Sequence, residues 1–115
     1  MTKKTRPKKY DLEEMTFEFA KRIVAYVKKL PRTIANIEIG KQLTRSGTSV
    51  GANYIEANES LGKKDFAMRI KISRKEAKES RYWLKLSESK KEREVLIQES
   101  TELMNIFGAI LRKTL

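Results

Sequence analysis

Four stretches of this chain place apolar residues at three- and four-residue steps, and each stretch is bounded by a proline, a glycine or a charged run. That periodicity matches one face of an α-helix and conflicts with the alternation a half-buried strand needs. In the first stretch, Asp11 stands as an N-cap with Glu14 three residues on; Leu12, Met15, Phe19, Ile23, Tyr26 and Leu30 follow, and Pro31 ends the helix. Thr33 caps the second, where Ile34, Ile37, Leu43, Val50, Tyr54, Ala57 and Leu61 are expected on one broad face, with Gly62 as its end. The third is expected over Lys63 to Ser87, with Phe66, Ile70, Ser73, Ala77, Ser80 and Leu84 near a heptad seam that is partly small and polar. Trp83, at its end, is expected to pack. A charged connection, Glu88 to Glu92, leads to the fourth, with Leu96, Ser100, Leu103, Phe107, Ile110 and Leu111 inward.

Four such helices joined by short connections predict an all-α, antiparallel, up-down-up-down four-helix bundle. A chain of 115 residues can bury one adequate core. The expected division is a flexible basic arm over residues 1–10 and one bundle domain over residues 11–115.

Gly40, Gly47 and Gly51 fall inside the second helix, where glycine costs about 1 kcal/mol each relative to alanine. Gly47 and Gly51 share one side, so the spacing predicts a close approach by another helix. The alternative is a break near Ser46-Gly47. Together with Phe17 and Val24, which lie outside the first seam, these small-residue surfaces predict self-association.

The sequence has no cysteine and no histidine. Disulfides, thiolate or imidazole metal sites and histidine acid–base chemistry are thereby excluded. Gly47-Thr48-Ser49-Val50-Gly51 has no P-loop lysine and no strand before it. The expectation is a non-enzymatic protein without catalytic residue, metal or cofactor. No apolar run approaches the roughly 20 residues that span a bilayer, and no apolar segment follows the basic start as a signal peptide requires. A cytoplasmic protein with no membrane role is expected.

Twenty-six Lys and Arg stand against 15 Asp and Glu, a formal charge of +11. Such a field attracts polyanions, nucleic acid first. Between Lys63 and Lys85, nine cations face three acids, which makes the third helix the best basic candidate, through Lys63, Lys64, Lys71 and Lys78. A solvated face with pairs such as Lys75–Glu79 is the alternative. Neither a recognition-helix motif nor an aromatic stacking platform is evident, so low sequence specificity is expected. The arm carries five positive charges and no negative one, and reads either as a solvated tail or as a phosphate-seeking arm.

Arg45, Ser49, Asn53 and Glu56 share a polar stripe on the second helix, with Arg74, Glu76, Lys78, Glu79 and Arg81 as partners on the third. A satisfied network fixing those two helices is the first reading, and a ligand site the second.

The run Gln42 to Ala57, reading QLTRSGTSVGANYIEA, resembles the four-helix-bundle family of 23S rRNA intervening-sequence proteins. Lys64-Asp65-Phe66, Ile72-Ser73 and Lys75 to Leu84, reading KEAKESRYWL, resemble that family's third helix in order and spacing. The resemblance covers Phe17 to about Leu111, leaving the arm outside it. It implies a four-helix bundle assembling as a ring-shaped homopentamer, and a relationship to nucleic-acid-binding accessory proteins of diversity-generating retroelements. The family name reports gene location in bacterial ribosomal RNA genes more than activity. Arg45, Ser49, Asn53, Glu56 and Glu76 match as signature positions. RNA or DNA is the expected partner; a scaffold engaging a reverse transcriptase or a ribosomal component is the rival reading.

Overall fold

In a computed structural model, which describes residues 11–88 and 91–114, four helices run α1 Leu12–Lys28, α2 Ile34–Asn58, α3 Lys63–Leu86 and α4 Lys91–Thr114, with no strand among the described residues. The expected arm over residues 1–10 lies outside them. Each helix packs against two others around a square: α1 on α2 and α4, and α3 on α2 and α4, with α2/α3 the most extensive contact and α1/α4 the thinnest.

The caps form as the sequence specifies. The Asp11 carboxylate accepts from the Glu14 N–H at 3.2 Å, and the Thr33 hydroxyl from the Asn36 N–H at 3.1 Å, each satisfying a donor the first turn leaves without a partner. Phe19, Ile23, Leu43, Val50, Ile70, Leu84, Leu96, Leu103 and Phe107 form the fully buried centre. At about 25 cal/mol per Å² of apolar area removed from water, this core is the main favourable term in folding.

Some expectations fail at helix ends. Ile34, 86% exposed, and Ile37 lie on the outward side of the first turn of α2. Leu61 is fully exposed because α2 stops at Asn58, so the helical phase no longer sets its direction; Gly62 is the N-cap of α3 instead of the end of α2. Helix α2 runs through Ser46-Gly47 without a break.

The reason for the glycines is contact with α1. A Cβ on Gly47 would lie 2.9 Å from Ile23 Cγ2, one on Gly51 2.8 Å from Thr16 Oγ1, and one on Gly40 3.0 Å from Val27 Cγ1. All three are buried inside the protomer, so they offer no surface for assembly, which corrects that part of the expectation. What stays outside is Phe17, 61% exposed beneath Lys21, together with Ala52 and Ile55, flanking the Thr16–Gly51 contact.

Small polar residues do the equivalent work between α2 and α3. The buried Ser46 and Ser80 hydroxyls meet at 2.9 Å, and Ser73 donates to the Val50 carbonyl across the interface at 3.0 Å.

At one end the two hairpins are stitched together. The Tyr26 hydroxyl donates to the Glu88 carbonyl at 2.9 Å and bonds the Ser87 hydroxyl at 2.7 Å. The Asn36 amide donates to the Pro31 carbonyl and the Glu88 carboxylate, and Arg93 reaches the Ser87 carbonyl from α4.

Candidate nucleic-acid interface

Lys64, Lys71, Lys78 and Lys85 recur every seven residues on α3, and a helix turns through nearly two full turns in that interval. They therefore form one line, opposite the buried Ile70, Ser73, Ala77, Ser80 and Leu84, and all are exposed. Lys75 lies on the same line. Lys63, also exposed, is displaced by one residue at the first turn. None of these six lysines enters an ion pair among the described residues. The expected Lys75–Glu79 pair does not close to ion-pair distance: Lys75 acts on the Glu79 carboxyl as a nearby charge, after Trp83 and Arg45, which hold it directly.

That carboxylate accepts from the Trp83 indole N–H at 3.0 Å and from an Arg45 guanidinium N–H. Arg45 also donates to Glu76 at 3.3 Å. Glu76 is 8% exposed, whereas the Arg45 side chain is 49% exposed, so a buried carboxylate is matched by a cation reaching in from solvent. The Trp83 hydrogen bond, then Arg45, hold the Glu79 carboxyl below the usual carboxylate range against the opposing effect of burial. The Glu79 hydrogen bond in turn pushes the Arg45 guanidinium above its ordinary value. Two of the three acids on α3 are thus paired with Arg45, and no lysine of the outer line is in an ion pair among the described residues.

The expected polar stripe divides. Arg45 and Glu76 meet, with Glu79 and Trp83. Asn53 forms a separate link, its amide oxygen accepting from Arg69 at 3.1 Å, a partner that sequence reasoning missed. The Ser49 hydroxyl bonds only the Arg45 carbonyl of its own helix, and the exposed Glu56 carboxylate has no hydrogen bond or ion pair among the described residues. Arg74 and Arg81 reach the other way, to the Met104 carbonyl and the Thr101 hydroxyl on α4; Lys78 points to solvent.

The basic line is not purely charged. Met68, Tyr82 and Leu86 are exposed among the lysines. Tyr82 packs edge-on to Trp83, with ring centroids 5.0 Å apart and planes at 76°. Its phase, two residues before the buried Leu84, was the available signal for an outward ring.

A depression of about 530 Å³ lies between the ends of α1 and α2, over Val27, Leu30, Ile37 and Gly40; its charged lining is Arg32, Lys41 and Arg45, with no carboxylate. Among the described residues no group of three or more acids could hold a metal ion, and no helix is long and apolar enough to cross a membrane.

No curated protein matches the chain. A crystal structure of a protein of unknown function from the S23 ribosomal protein family of Bacteroides thetaiotaomicron superposes with a TM-score of 0.77 at 32% identity, covering 86% of this chain and 96% of that one. The family model for 23S rRNA-intervening sequence protein matches residues 8–111, so the last three residues of the expected arm fall within the matched region. By sequence match and by fold, the chain belongs to the 23S rRNA-intervening sequence protein family.

Proposed function

We propose that this protein is a non-enzymatic, cytoplasmic nucleic-acid-binding bundle that engages RNA or DNA through phosphate contacts with low sequence specificity. The observation that carries this reading is the exposed lysine line on the outer face of α3, from Lys64 to Lys85, none of whose members is in an ion pair among the described residues. Unpaired lysines that share one face meet a polyanion without first breaking protein ion pairs, and each phosphate they neutralise releases condensed counterions. The +11 charge adds steering at long range.

Assembly as a homopentameric ring is part of the proposal. It rests on the family relationship and on the outward Phe17, Ala52 and Ile55, which one bundle leaves uncovered. A ring multiplies the lysine lines available to one polymer. Phe17→Asp should then shift light scattering to smaller species, and a parent that is monomeric at micromolar concentration refutes the assembly.

Titrating salt against labelled RNA and DNA tests the binding. Affinity should fall roughly 10³-fold between about 50 and 200 mM salt if about six phosphates are engaged. Replacing Lys63, Lys64, Lys71 and Lys78 with glutamine should weaken binding to every sequence while helicity persists. Absence of binding at low salt refutes the reading and moves an interaction scaffold to first place.

A further inference from the structure

Resting on the nucleic-acid reading, we infer that the α3 line binds single-stranded nucleic acid in preference to duplex, with Tyr82 as a platform on which an unpaired base stacks. The ring sits within the lysine line, 57% exposed, with Lys78 four residues before it and Lys85 three residues after. Those offsets make both lysines its neighbours on the helix surface, about 10 Å apart along the axis with the ring between them. A stacked base on Tyr82 therefore has a cation on either side to receive the flanking phosphates.

The platform is braced. Trp83 meets Tyr82 edge-on at 5.0 Å, and its own N–H is tied to Glu79, which Arg45 also holds. The Tyr82 hydroxyl makes no hydrogen bond among the described residues, so the contact with Trp83 is what places the ring. Leu86, exposed four residues after Tyr82, supplies apolar contact beside the ring.

The selectivity follows from geometry. A duplex offers its phosphates to the lysines but keeps its base faces stacked inside, whereas a single strand can offer both at once. Stacking on a tyrosine face accepts any base, so the preference is for strandedness and not for sequence.

The test measures fluorescence anisotropy of labelled 20-mers (single strands of DNA and of RNA, the matching blunt duplexes, and a DNA strand with abasic sites) at fixed low salt. The parent should bind single strands more tightly than duplex. Tyr82→Leu should lower single-strand affinity about tenfold and leave duplex affinity unchanged, and Tyr82→Phe should bind as the parent does. The parent should bind the abasic strand about tenfold more weakly than the normal strand, and Tyr82→Leu should not distinguish the two. The abasic arm needs no variant, so it decides the matter even if Tyr82→Leu is poorly folded. The DNA and RNA arms show which sugar is accepted. If the parent binds both strands and duplexes but neither the Leu variant nor base removal weakens single-strand binding, the stacking inference falls and the phosphate reading stands. If the parent binds nothing, both fall.

Discussion

Replacing Gly47 by alanine sets two opposing effects against each other, and the structure decides between them. Alanine in a helix interior is favoured over glycine by about 1 kcal/mol. Against this, the new Cβ would lie 2.9, 3.0 and 3.2 Å from Cγ2, Cγ1 and Cβ of Ile23, closer than such contacts normally come. Those atoms form the root of a β-branched side chain with essentially one χ1 rotamer in a helix. Ile23 is also fully buried and cannot rotate away, so α1 itself must shift. Overpacking of this kind costs about 1–3 kcal/mol, and three short contacts on a stiff residue place it at the upper end. The expected net loss is about 1–2 kcal/mol.

Gly108→Ala is the control. Its Cβ would meet the Arg74 Nε at 3.4 Å, an ordinary contact with a long side chain, so the helix gain of about 0.5–1 kcal/mol should survive. The two substitutions are chemically identical and should have opposite signs. Urea unfolding followed by circular dichroism, at one protein concentration because assembly would couple stability to it, measures both. Combining Gly47→Ala with Ile23→Ala should cost less than the sum of the single changes, since the second removes what the first collides with. A Gly47→Ala protein as stable as the Gly108→Ala one would refute the close-approach reasoning.

Arg45→Ala should lower stability by about 1–3 kcal/mol, because Glu76 stays buried without its cation; urea unfolding that finds the variant as stable as the parent would refute the pairing. The lowered pKa of Glu79 means that its contribution is complete above the ordinary carboxylate value of about 4 and is lost as pH falls through the folded value, which acid titration of the Glu79→Gln variant checks. Tyr26 behaves oppositely: burial raises its pKa, so its contribution is complete below about 10 and lost as pH rises through the folded value, and Tyr26→Phe should flatten the alkaline limb of a stability profile. Ser46→Ala and Ser80→Ala should each cost about 1 kcal/mol, and the double variant less than their sum, as chemical denaturation of the three would show.

The helices, two caps and most of the core were legible because each depends on residues within one or two turns of chain. Asp11 and Thr33 needed only the backbone N–H three residues on. The close approach at Gly47 and Gly51 was legible in its spacing, but its direction was not: local sequence cannot distinguish a groove filled by α1 from one filled by another subunit. Leu61 was misplaced because a helical phase carries no information past the last hydrogen-bonded turn, and Ile34 because, nine residues and two and a half turns before the buried Leu43, it falls on the opposite side of α2. Arg69 was missed as the partner of Asn53 because that pairing depends on the axial offset between α2 and α3, which seam residues along both helices set together. The lysine line was legible in part. Its freedom from ion pairs was not, since Glu79 is four residues from Lys75, and only the position of Arg45 across the interface shows which cation takes it.

The stitched end, where Tyr26 and Asn36 grip Ser87 and Glu88, makes the two ends of the bundle unequal in how they come apart. There, opening either hairpin breaks bonds to the other, whereas the opposite end is held across α1 and α2 by an exposed Asn58–Glu13 contact and turns at an uncovered Leu61. Local opening therefore starts at the Leu61 end and travels inward, with amides near Tyr26 and Ser87 exchanging slowest of the helix-terminal positions. A chain lengthened within residues 59–62 should fold as before, and one lengthened between Ser87 and Lys91 should lose the slow exchange at the stitched end while the α2/α3 contact still couples the hairpins.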